Sequence, residues 1–401
     1  MSQRGSQPDA GTLDLNRRSF LRVASFAGAA AAIGGFSEGQ LALAQSSRPR
    51  VPVGVNAVLL NANENPLGPC EAARAAMAAS IALSGRYHDE MAEEFVKLFA
   101  AQNGLKPEYV LPYPGSSQPL SYSVFAFCNA DKPLVIGDPG YEAATRTADV
   151  RRAAAFMVPL RKDYSHDVKK MVSVAPNTGL YYIASPNNPT GTVTSRADIE
   201  WLLAHKAKDS IVLLDEAYIH FSDATPCLDL VAADKDIVVL RTFSKLYGMA
   251  GARLGLVAAR PDLLKKISDV GGWTFCPVPA LQAGIASLKD TEVVAKRKKI
   301  NAEVRQETFD WLTSKGYVFV PSAANHFMID TKRRAGSVVG AMAEKGVLIG
   351  RVWPAWPNHI RVTVGTHEEM ASFRTAFQAV MESPVTASLR PYKHSRTAQF
   401  S

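Results

Sequence analysis

The sequence predicts an α/β fold, in which a large domain with a mostly parallel sheet flanked by helices precedes a smaller α+β C-terminal domain. Short apolar runs that each end in a polar or Pro/Gly turn alternate with helical segments, a pattern typical of parallel sheets. These runs cover residues 134–137, 180–183, 211–214, 236–240 and 255–259. Beyond residue 283 the pattern changes to a long charged helix and short strands. A chain of 401 residues, 47% of them hydrophobic, is long enough for both domains.

Residues 1–44 resemble a twin-arginine export signal. The motif RRSFLR at residues 17–22 is followed by an apolar run of small residues, which closes on the cleavage pattern A-L-A at residues 42–44. The run is shorter than the roughly 20 residues that a membrane-spanning helix needs. A buried amphipathic first helix is the alternative, but the run lacks a polar face with a 3.6-residue period. We therefore predict export to the periplasm, cleavage near Ala44 and no stable membrane span.

The rest of the chain divides into four predicted segments. Residues 45–70 are an N-terminal arm, 71–283 the large domain, 284–382 the small domain and 383–401 a polar tail, which we expect to be disordered. Within the arm, turn formers dominate residues 60–69 and predict an irregular loop.

Composition excludes two classes of function. The net charge of +8 is spread along the chain without a block of lysine and arginine, so nucleic-acid binding is not predicted. The four cysteines show no C-x-x-C spacing and the eight histidines are scattered, so no metal site is predicted either.

Two stretches of the large domain suit a phosphate group. Gly115-Ser116-Ser117 forms a turn that opens a predicted helix, and the N–H groups at a helix start bind anions. After the run at residues 236–240, Thr242 and Ser244 supply hydroxyl groups and Arg253 supplies a fixed cation. A serine at a helix start after a glycine turn is also common without any ligand, so the first stretch alone is a weak signal.

Lys245 lies between those hydroxyl groups and Arg253. It follows an apolar strand, and ligands of α/β sheets gather at the carboxyl ends of strands. Burial there disfavours the ammonium form, and a neutral amine can attack a carbonyl carbon. A reactive amine beside a phosphate site is what pyridoxal phosphate requires. A surface lysine after a strand is the alternative for this motif taken alone.

Asp215 ends an apolar run of four residues, 211–214. A buried carboxylate is costly unless a cation or a donor meets it, and a protonated pyridine nitrogen is such a partner. The competing interpretation is the magnesium site of a phosphate-loop NTPase. That fold requires the motif G-x-x-x-x-G-K-[ST], which is absent from the sequence.

Two arginines of the small domain occupy positions in predicted strands that would normally be apolar. Arg351 belongs to a strand predicted at residues 347–352, and Arg361 to one at residues 359–364. Inward-facing arginines usually have an anionic partner. The alternative is that both keep an exposed edge strand soluble.

Taken together, the ordered motifs resemble the class I/II aminotransferases, which are fold type I PLP-transferases, and within them the histidinol-phosphate aminotransferase branch. The resemblance covers residues 60–381. The motifs in chain order are NANENPLGP, RYHD, GSS, DPGY, SPNNPTGT, DEAY, RTFSKLYGMAGARLG, PSAAN and IRVTVGT.

The resemblance implies a role for each motif residue toward pyridoxal 5′-phosphate. Lys245 binds the cofactor aldehyde as a Schiff base and later moves a proton, while Asp215 pairs with the ring nitrogen. The ring hydroxyl is bound by Tyr218 and Asn188, and Tyr141 stacks on the ring. The phosphate is held by Gly115, Ser116, Ser117, Thr242, Ser244 and Arg253. Tyr87 reaches the phosphate across the interface of a homodimer.

The resemblance also implies substrate residues. Arg361 binds the α-carboxylate, and Arg351 is near the arginine that the branch uses for the phosphate of its substrate. Asn65 of NANENPLGP is the third expected substrate residue. The segment between the two arginines is short and contains Trp353 and Trp356, so an aromatic donor is an alternative to a phosphorylated one.

The implied activity is ping-pong transfer of an amino group from an amino-acid-like donor to a 2-oxo acid, carried out after export. Decarboxylation of an amino acid by another fold type I enzyme is the alternative that the shared motifs leave open. A non-catalytic regulator that binds the cofactor would need an appended DNA-binding helix-turn-helix, and the N-terminus contains the export motif instead.

Overall fold

The computed structural model describes residues 57–272 and 274–384. The predicted export segment, the arm before residue 57 and the predicted tail from residue 385 lie outside the described residues. Within the described ranges, no helix combines the length and the apolar character needed to cross a bilayer. All four cysteines fall in these ranges and are free thiols.

The described residues contain twelve strands and twelve α-helices, together with three short 3-10 helices at Ile81–Leu83, Pro107–Tyr109 and Ile219–Phe221. The strands are β1 (Val58–Leu60), β2 (Val110–Tyr113), β3 (Leu134–Asp138), β4 (Ala155–Pro159), β5 (Leu180–Ala184), β6 (Ile211–Asp215), β7 (Ile237–Thr242), β8 (Gly255–Ala258), β9 (Val318–Val320), β10 (His326–Asp330), β11 (Val347–Ile349) and β12 (His359–Thr363). The helices are α1 (Glu71–Ser80), α2 (Asp89–Gln102), α3 (Ser117–Phe127), α4 (Ala143–Arg151), α5 (Val168–Ser173), α6 (Arg196–His205), α7 (Leu228–Ala232), α8 (Pro261–Gly271), α9 (Val278–Lys289), α10 (Val293–Ser314), α11 (Ala335–Glu344) and α12 (His367–Glu382).

The large domain is built on a seven-stranded sheet with the order β2-β8-β7-β6-β5-β3-β4. Strand β8 is antiparallel to both of its neighbours, and the other strands run parallel to one another. The predicted mostly parallel sheet is therefore confirmed. Because parallel strands end at one edge, the residues that follow β3, β5, β6 and β7 meet there.

Helices cover both faces of this sheet. Along β6, Leu213 belongs to the core on one face, whereas Val212 and Leu214 belong to the core on the other. This alternation follows from the two-residue period of a strand, and two covered faces explain why the predicted strands are continuous apolar runs. Helices α3, α4 and α8 contribute to the first core, and α1, α2 and α9 contribute to the second.

The small domain contains a three-stranded antiparallel sheet, β12-β10-β9, and a parallel pair, β1-β11. Helix α12 packs beside them and begins with a capping box, in which Thr366 and Glu369 bond each other's backbone N–H groups. The pairing of β1 with β11 is not predicted by the sequence, because three residues are too few to show a strand period. It joins the arm to the small domain, and residues 61–69 then continue toward the large domain.

Candidate active site

A cavity of about 250 Å³ opens at the carboxyl edge of the seven-stranded sheet. Ten of the residues singled out from the sequence line it. They are Ser116, Ser117, Tyr141, Asn188, Asp215, Tyr218, Thr242, Ser244, Lys245 and Arg253. The topology brings them together, because each lies at or just after the end of a parallel strand or in the loop that joins β7 to β8.

Lys245 and Arg253 belong to the same loop. Strand β7 ends at the edge of the sheet where antiparallel β8 begins, so the whole loop stays at the cavity. Lys245 is only 9% exposed, and its Nζ donates to the carbonyl of Ala62 at 3.2 Å. The same nitrogen lies 5.6 Å from the centre of the Tyr218 ring. The lysine is therefore held inside the cavity, and the surface-lysine alternative is wrong.

Asp215 is the last residue of β6 and is buried. Burial raises the pKa of its carboxyl group to about 6, although the Tyr182 hydroxyl, the Ala217 amide and the charge of Lys245 act in the opposite direction. Tyr182 donates to Oδ2 at 2.9 Å and the Ala217 N–H donates to Oδ1 at 3.0 Å. A cation against this group would favour the carboxylate. Asp215 therefore suits a protonated ring nitrogen.

Whereas Asp215 suits a cation, the residues around Arg253 suit an anion. Its guanidinium donates to the carbonyls of Ala250 at 2.9 Å and Pro114 at 3.1 Å, and contacts the Ser244 hydroxyl at 3.4 Å. Arg253 is partly buried, and this burial disfavours its charged form and lowers its pKa. A phosphate group there would offset that cost.

Gly115 and the start of α3 complete this anion site. Gly115 has a φ of +86°, and a Cβ at this position would overlap the Arg253 guanidinium. Helix α3 begins at Ser117, which lines the cavity, so the first N–H groups of the helix and the positive end of its dipole lie at the cavity. A buried acid, a lysine and an anion site thus share one cavity, and they fit pyridoxal phosphate.

Arg361 is fully buried on β12, at the contact between the two domains. Its Nη1 donates to Oδ1 of Asn188 at 2.8 Å, and its Nη2 donates to the carbonyl of Asn61 at 2.6 Å. Because Asn188 lines the cavity, the guanidinium lies directly behind the wall of the cavity. An arginine with this degree of burial does not keep an exposed strand soluble, so that alternative is excluded.

Arg351 is also buried, and it lies just beyond the end of β11. Its Nη2 forms an ion pair of 2.7 Å with Oε2 of Glu142. The guanidinium lies 4.6 Å from the centre of the Trp353 ring and 5.9 Å from that of Tyr141, a residue of the cavity wall. Arg351 therefore reaches the large domain beside the cavity.

Two predicted residues lie away from the cavity. Tyr87 is 74% exposed and stacks on Phe275, with ring centres 4.8 Å apart. Asn65 donates from Nδ2 to the carbonyl of Leu246 at 2.8 Å, and so it contacts the backbone immediately after Lys245. In this chain Tyr87 lines no part of the cavity, and Asn65 supports the loop that carries Lys245.

Several residues of the site are not predicted by the sequence. Tyr182 donates to Asp215 from the neighbouring strand, and Asn63 donates to the Tyr218 hydroxyl at 3.0 Å. Glu142 pairs with Arg351 across the two domains. Each of these contacts depends on which strands and loops are adjacent in space. A tyrosine within an apolar strand was the only signal that could have pointed to Tyr182.

Comparison with known proteins identifies the family. The model of the family described as "Aminotransferase class I and II" matches residues 55–377. The histidinol-phosphate aminotransferase of Moorella thermoacetica is 30% identical over 337 residues, which cover 82% of this chain and 87% of that protein. The aromatic amino acid aminotransferase of Rhodococcus jostii is 33% identical over 321 residues, 79% of this chain and 88% of that protein.

Solved structures show the same fold. The histidinol-phosphate aminotransferase of Sinorhizobium meliloti in complex with pyridoxal-5′-phosphate superposes with a TM-score of 0.75 at 24% identity, covering 84% of this chain and 95% of that one. The histidinol-phosphate aminotransferase of Clostridium acetobutylicum gives 0.74 at 18% identity, covering 81% and 99%.

Proposed function

The chain belongs to the class I and II aminotransferases, which depend on pyridoxal phosphate, and on this premise we propose that it transfers an amino group from an amino-acid-like donor to a 2-oxo acid by a ping-pong mechanism. Its relatives are histidinol-phosphate and aromatic amino acid aminotransferases. The observation that supports the proposal most is that Lys245, Asp215 and Arg253 line one cavity.

Each of these residues has a distinct task. When bound, pyridoxal phosphate supplies an aldehyde for the donor amine and a ring that withdraws electrons from the reacting Cα–H bond. Arg253 and the start of α3 hold the phosphate, and Asp215 favours a protonated ring nitrogen. Lys245 moves the proton at Cα of the substrate. Arg361 orients the substrate by its carboxylate, since its planar fork matches two oxygens.

A single cavity supports the ping-pong order. Donor and acceptor each present a carboxylate to the same arginine, Arg361, and each reacts beside the same amine, Lys245. We infer that the first product leaves before the second substrate enters, because both would occupy the same place beside Arg361 and Lys245; the bound cofactor would supply the carrier for the amino group.

The proposed function predicts a reversible spectral change in the holoenzyme. A panel of donors, including histidinol phosphate, histidine, aromatic amino acids and glutamate, should convert the visible absorbance of the aldehyde form to that of the amine form. A 2-oxo acid should restore the first spectrum. Release of carbon dioxide in step with donor consumption would instead identify the alternative, a decarboxylase.

We further propose that the enzyme acts in the periplasm. The proposal is supported by the motif RRSFLR and the cleavage pattern at residues 42–44. The twin-arginine route carries folded proteins, which suits a cofactor inserted before export. Cell fractionation followed by N-terminal sequencing should find a periplasmic protein that begins near residue 45. Full-length protein retained in the cytoplasm with Met1 in place would refute export.

A homodimer is the proposed assembly, with Tyr87 completing the phosphate site of the partner subunit. The support is that Tyr87 is 74% exposed and stacks on Phe275, itself an apolar side chain that is 51% exposed. Ultracentrifugation should give twice the mass of the chain. Tyr87→Phe should weaken cofactor binding by about fivefold, the cost of one hydrogen bond of about 1 kcal/mol, without dissociating the dimer. A monomer that binds the cofactor fully would contradict the arrangement.

A further inference from the structure

We propose that Glu142 makes this enzyme select donors that carry a carboxylate over donors that carry a phosphate ester. The inference rests on the proposed function and concerns the substrate class of the same site. Glu142 is the residue after Tyr141 of the cavity wall, and it forms the 2.7 Å ion pair with Arg351. It therefore neutralises one of the two arginines beside the substrate.

The two arginines form one unit around Trp353. The indole ring has the Arg351 guanidinium 4.6 Å from its centre and the Arg361 guanidinium 5.2 Å from its centre. Its Nε1–H donates to the carbonyl of Gly140 at 2.9 Å, which fixes the ring against the loop after β3. Both cations gain from the aromatic face. Their positions are therefore set together, and an anion at one of them is affected by the charge at the other.

Glu142 changes the charge beside the two arginines. The two guanidinium groups carry +2, and the Glu142 carboxylate in its ion pair with Arg351 offsets one of these positive charges. An α-carboxylate carries −1, whereas a phosphate ester carries about −1.5 to −2 near neutral pH. A phosphate would therefore place more negative charge than a carboxylate close to the Glu142 carboxylate.

Burial increases the effect of this mismatch. The side chains of Arg351 and Glu142 are 2% and 17% exposed. Like charges near each other are less screened there than at the surface, and separating the pair would break a buried ion pair. A phosphate ester would have to displace Glu142 from Arg351 or bind beside it, and both are unfavourable. A carboxylate requires neither.

A matched pair of donors isolates this difference. Histidinol phosphate has the imidazole and the amine of histidine, but it has a phosphate ester in place of the carboxylate. Phenylalaninol phosphate and phenylalanine form a second pair with an aromatic side chain. Within each pair the side chain is constant, so the ratio of kcat/KM values reports the anionic end alone.

The test uses the holoenzyme and its Glu142→Gln variant in the donor half-reaction. In each pair that reacts, the wild type should prefer the amino acid. Glu142→Gln should shift the ratio toward the phosphate ester by about tenfold, which corresponds to about 1.4 kcal/mol. Glu200→Gln is the matched control, because Glu200 also pairs with an arginine, Arg196, at 2.8 Å but on the surface. It should leave the ratio unchanged.

Binding of unreactive ligands provides a second measurement. The probes are 3-phenylpropionate and 2-phenylethylphosphonate, which share the phenyl group and differ at the anionic end. Glu142→Gln should tighten phosphonate binding by about tenfold and leave carboxylate binding almost unchanged. In the double variant Glu142→Gln with Arg351→Gln, the gain should disappear, because the cation that Glu142 neutralises is gone. Thermal unfolding confirms that the variants remain folded.

Two outcomes would overturn the inference. One is a wild type that reacts more efficiently with histidinol phosphate than with histidine while it also prefers the phosphonate. The other is a Glu142→Gln variant whose ratios match those of Glu200→Gln. If the holoenzyme reacts with no donor at all, the proposed function fails, and the comparison of phosphonate with carboxylate still decides whether Glu142 sets the charge of the site.

Discussion

Replacing Lys245 with alanine should lower kcat for transamination by about 10⁴-fold, because the chain would then lack both the proposed amine for the cofactor aldehyde and the proposed base at Cα. No other lysine lines the cavity among the described residues. The variant should still bind the cofactor, since Arg253, Asp215 and the start of α3 remain. The measurement is the rate of the donor half-reaction, monitored as the decrease in the visible absorbance of the aldehyde form of the cofactor.

A chemical readout separates this role from a loss of folding. Reduction of the wild-type holoenzyme with borohydride should fix the cofactor covalently on Lys245, and peptide mass analysis should locate it there. Lys298→Ala is the control, because Lys298 forms a surface ion pair with Asp223 and should leave both rate and labelling unchanged. A Lys245→Ala enzyme with wild-type rates, or a colourless wild type after addition of pyridoxal phosphate, would refute the assignment.

Asp215→Asn has the second largest expected effect, a fall in kcat of about 10²- to 10³-fold, comparable to removing one charge-stabilising group from an active site. The amide Oδ1 can still accept from the Ala217 N–H, and Nδ2 can donate to the Tyr182 hydroxyl, which turns to accept, so the geometry should persist. It lacks the negative charge that favours a protonated ring nitrogen. The donor half-reaction at saturating cofactor measures this loss.

The same substitution should stabilise the protein when no cofactor is bound. The Asp215 carboxyl has a pKa of about 6 in the fold and an ordinary value of 3.8, so above pH 6 the folded protein bears the full cost of burying the ionised group. The shift corresponds to about 3 kcal/mol. For this raised pKa, the stability of the apoprotein should increase as the pH falls from about 7 toward 4. Asp215→Asn should be more stable than wild type at pH 7 and should lose that advantage near pH 4.

Asp198→Asn is a control of opposite sign. Asp198 forms a hydrogen-bonded ion pair with Arg161, which lowers the pKa of its carboxyl group. The ionised form is therefore favoured in the fold, and its contribution is lost as the pH falls through the lowered pKa. Asp198→Asn should be less stable than wild type at pH 7 and should retain activity. An Asp215→Asn apoprotein that is also less stable at pH 7 would contradict the burial argument.

Much of the large domain could be predicted from local patterns. The apolar runs before Asp215 and Thr242 were recognisable as strands β6 and β7, because a strand that is covered on both faces is apolar along its length. The polar residues at their ends, Asp215 and Thr242, were predicted to meet a ligand because a buried polar group is costly without a partner, and both line the cavity. The direction of β8 had no such signal. Its residues would be equally apolar in either direction.

The least predictable features involve contacts between distant parts of the chain. Strand β1 pairs with β11, almost 290 residues later, and brings the carbonyl of Ala62 to Lys245. Tyr182 reaches Asp215 because β5 and β6 are neighbours. The ion pair of Glu142 with Arg351 exists because the two domains are packed together.

The sequence by itself was enough to predict the fold class, the family, the cofactor and Lys245 as the candidate lysine. Strand periodicity and ordered motifs depend on residues that are close together in the chain. Only the tertiary structure decided which groups surround those residues: the hydroxyl on Asp215, the carbonyl on Lys245 and the carboxylate on Arg351. Such contacts set the charge and the pKa of a site, and they depend on distances through space that a linear pattern does not contain.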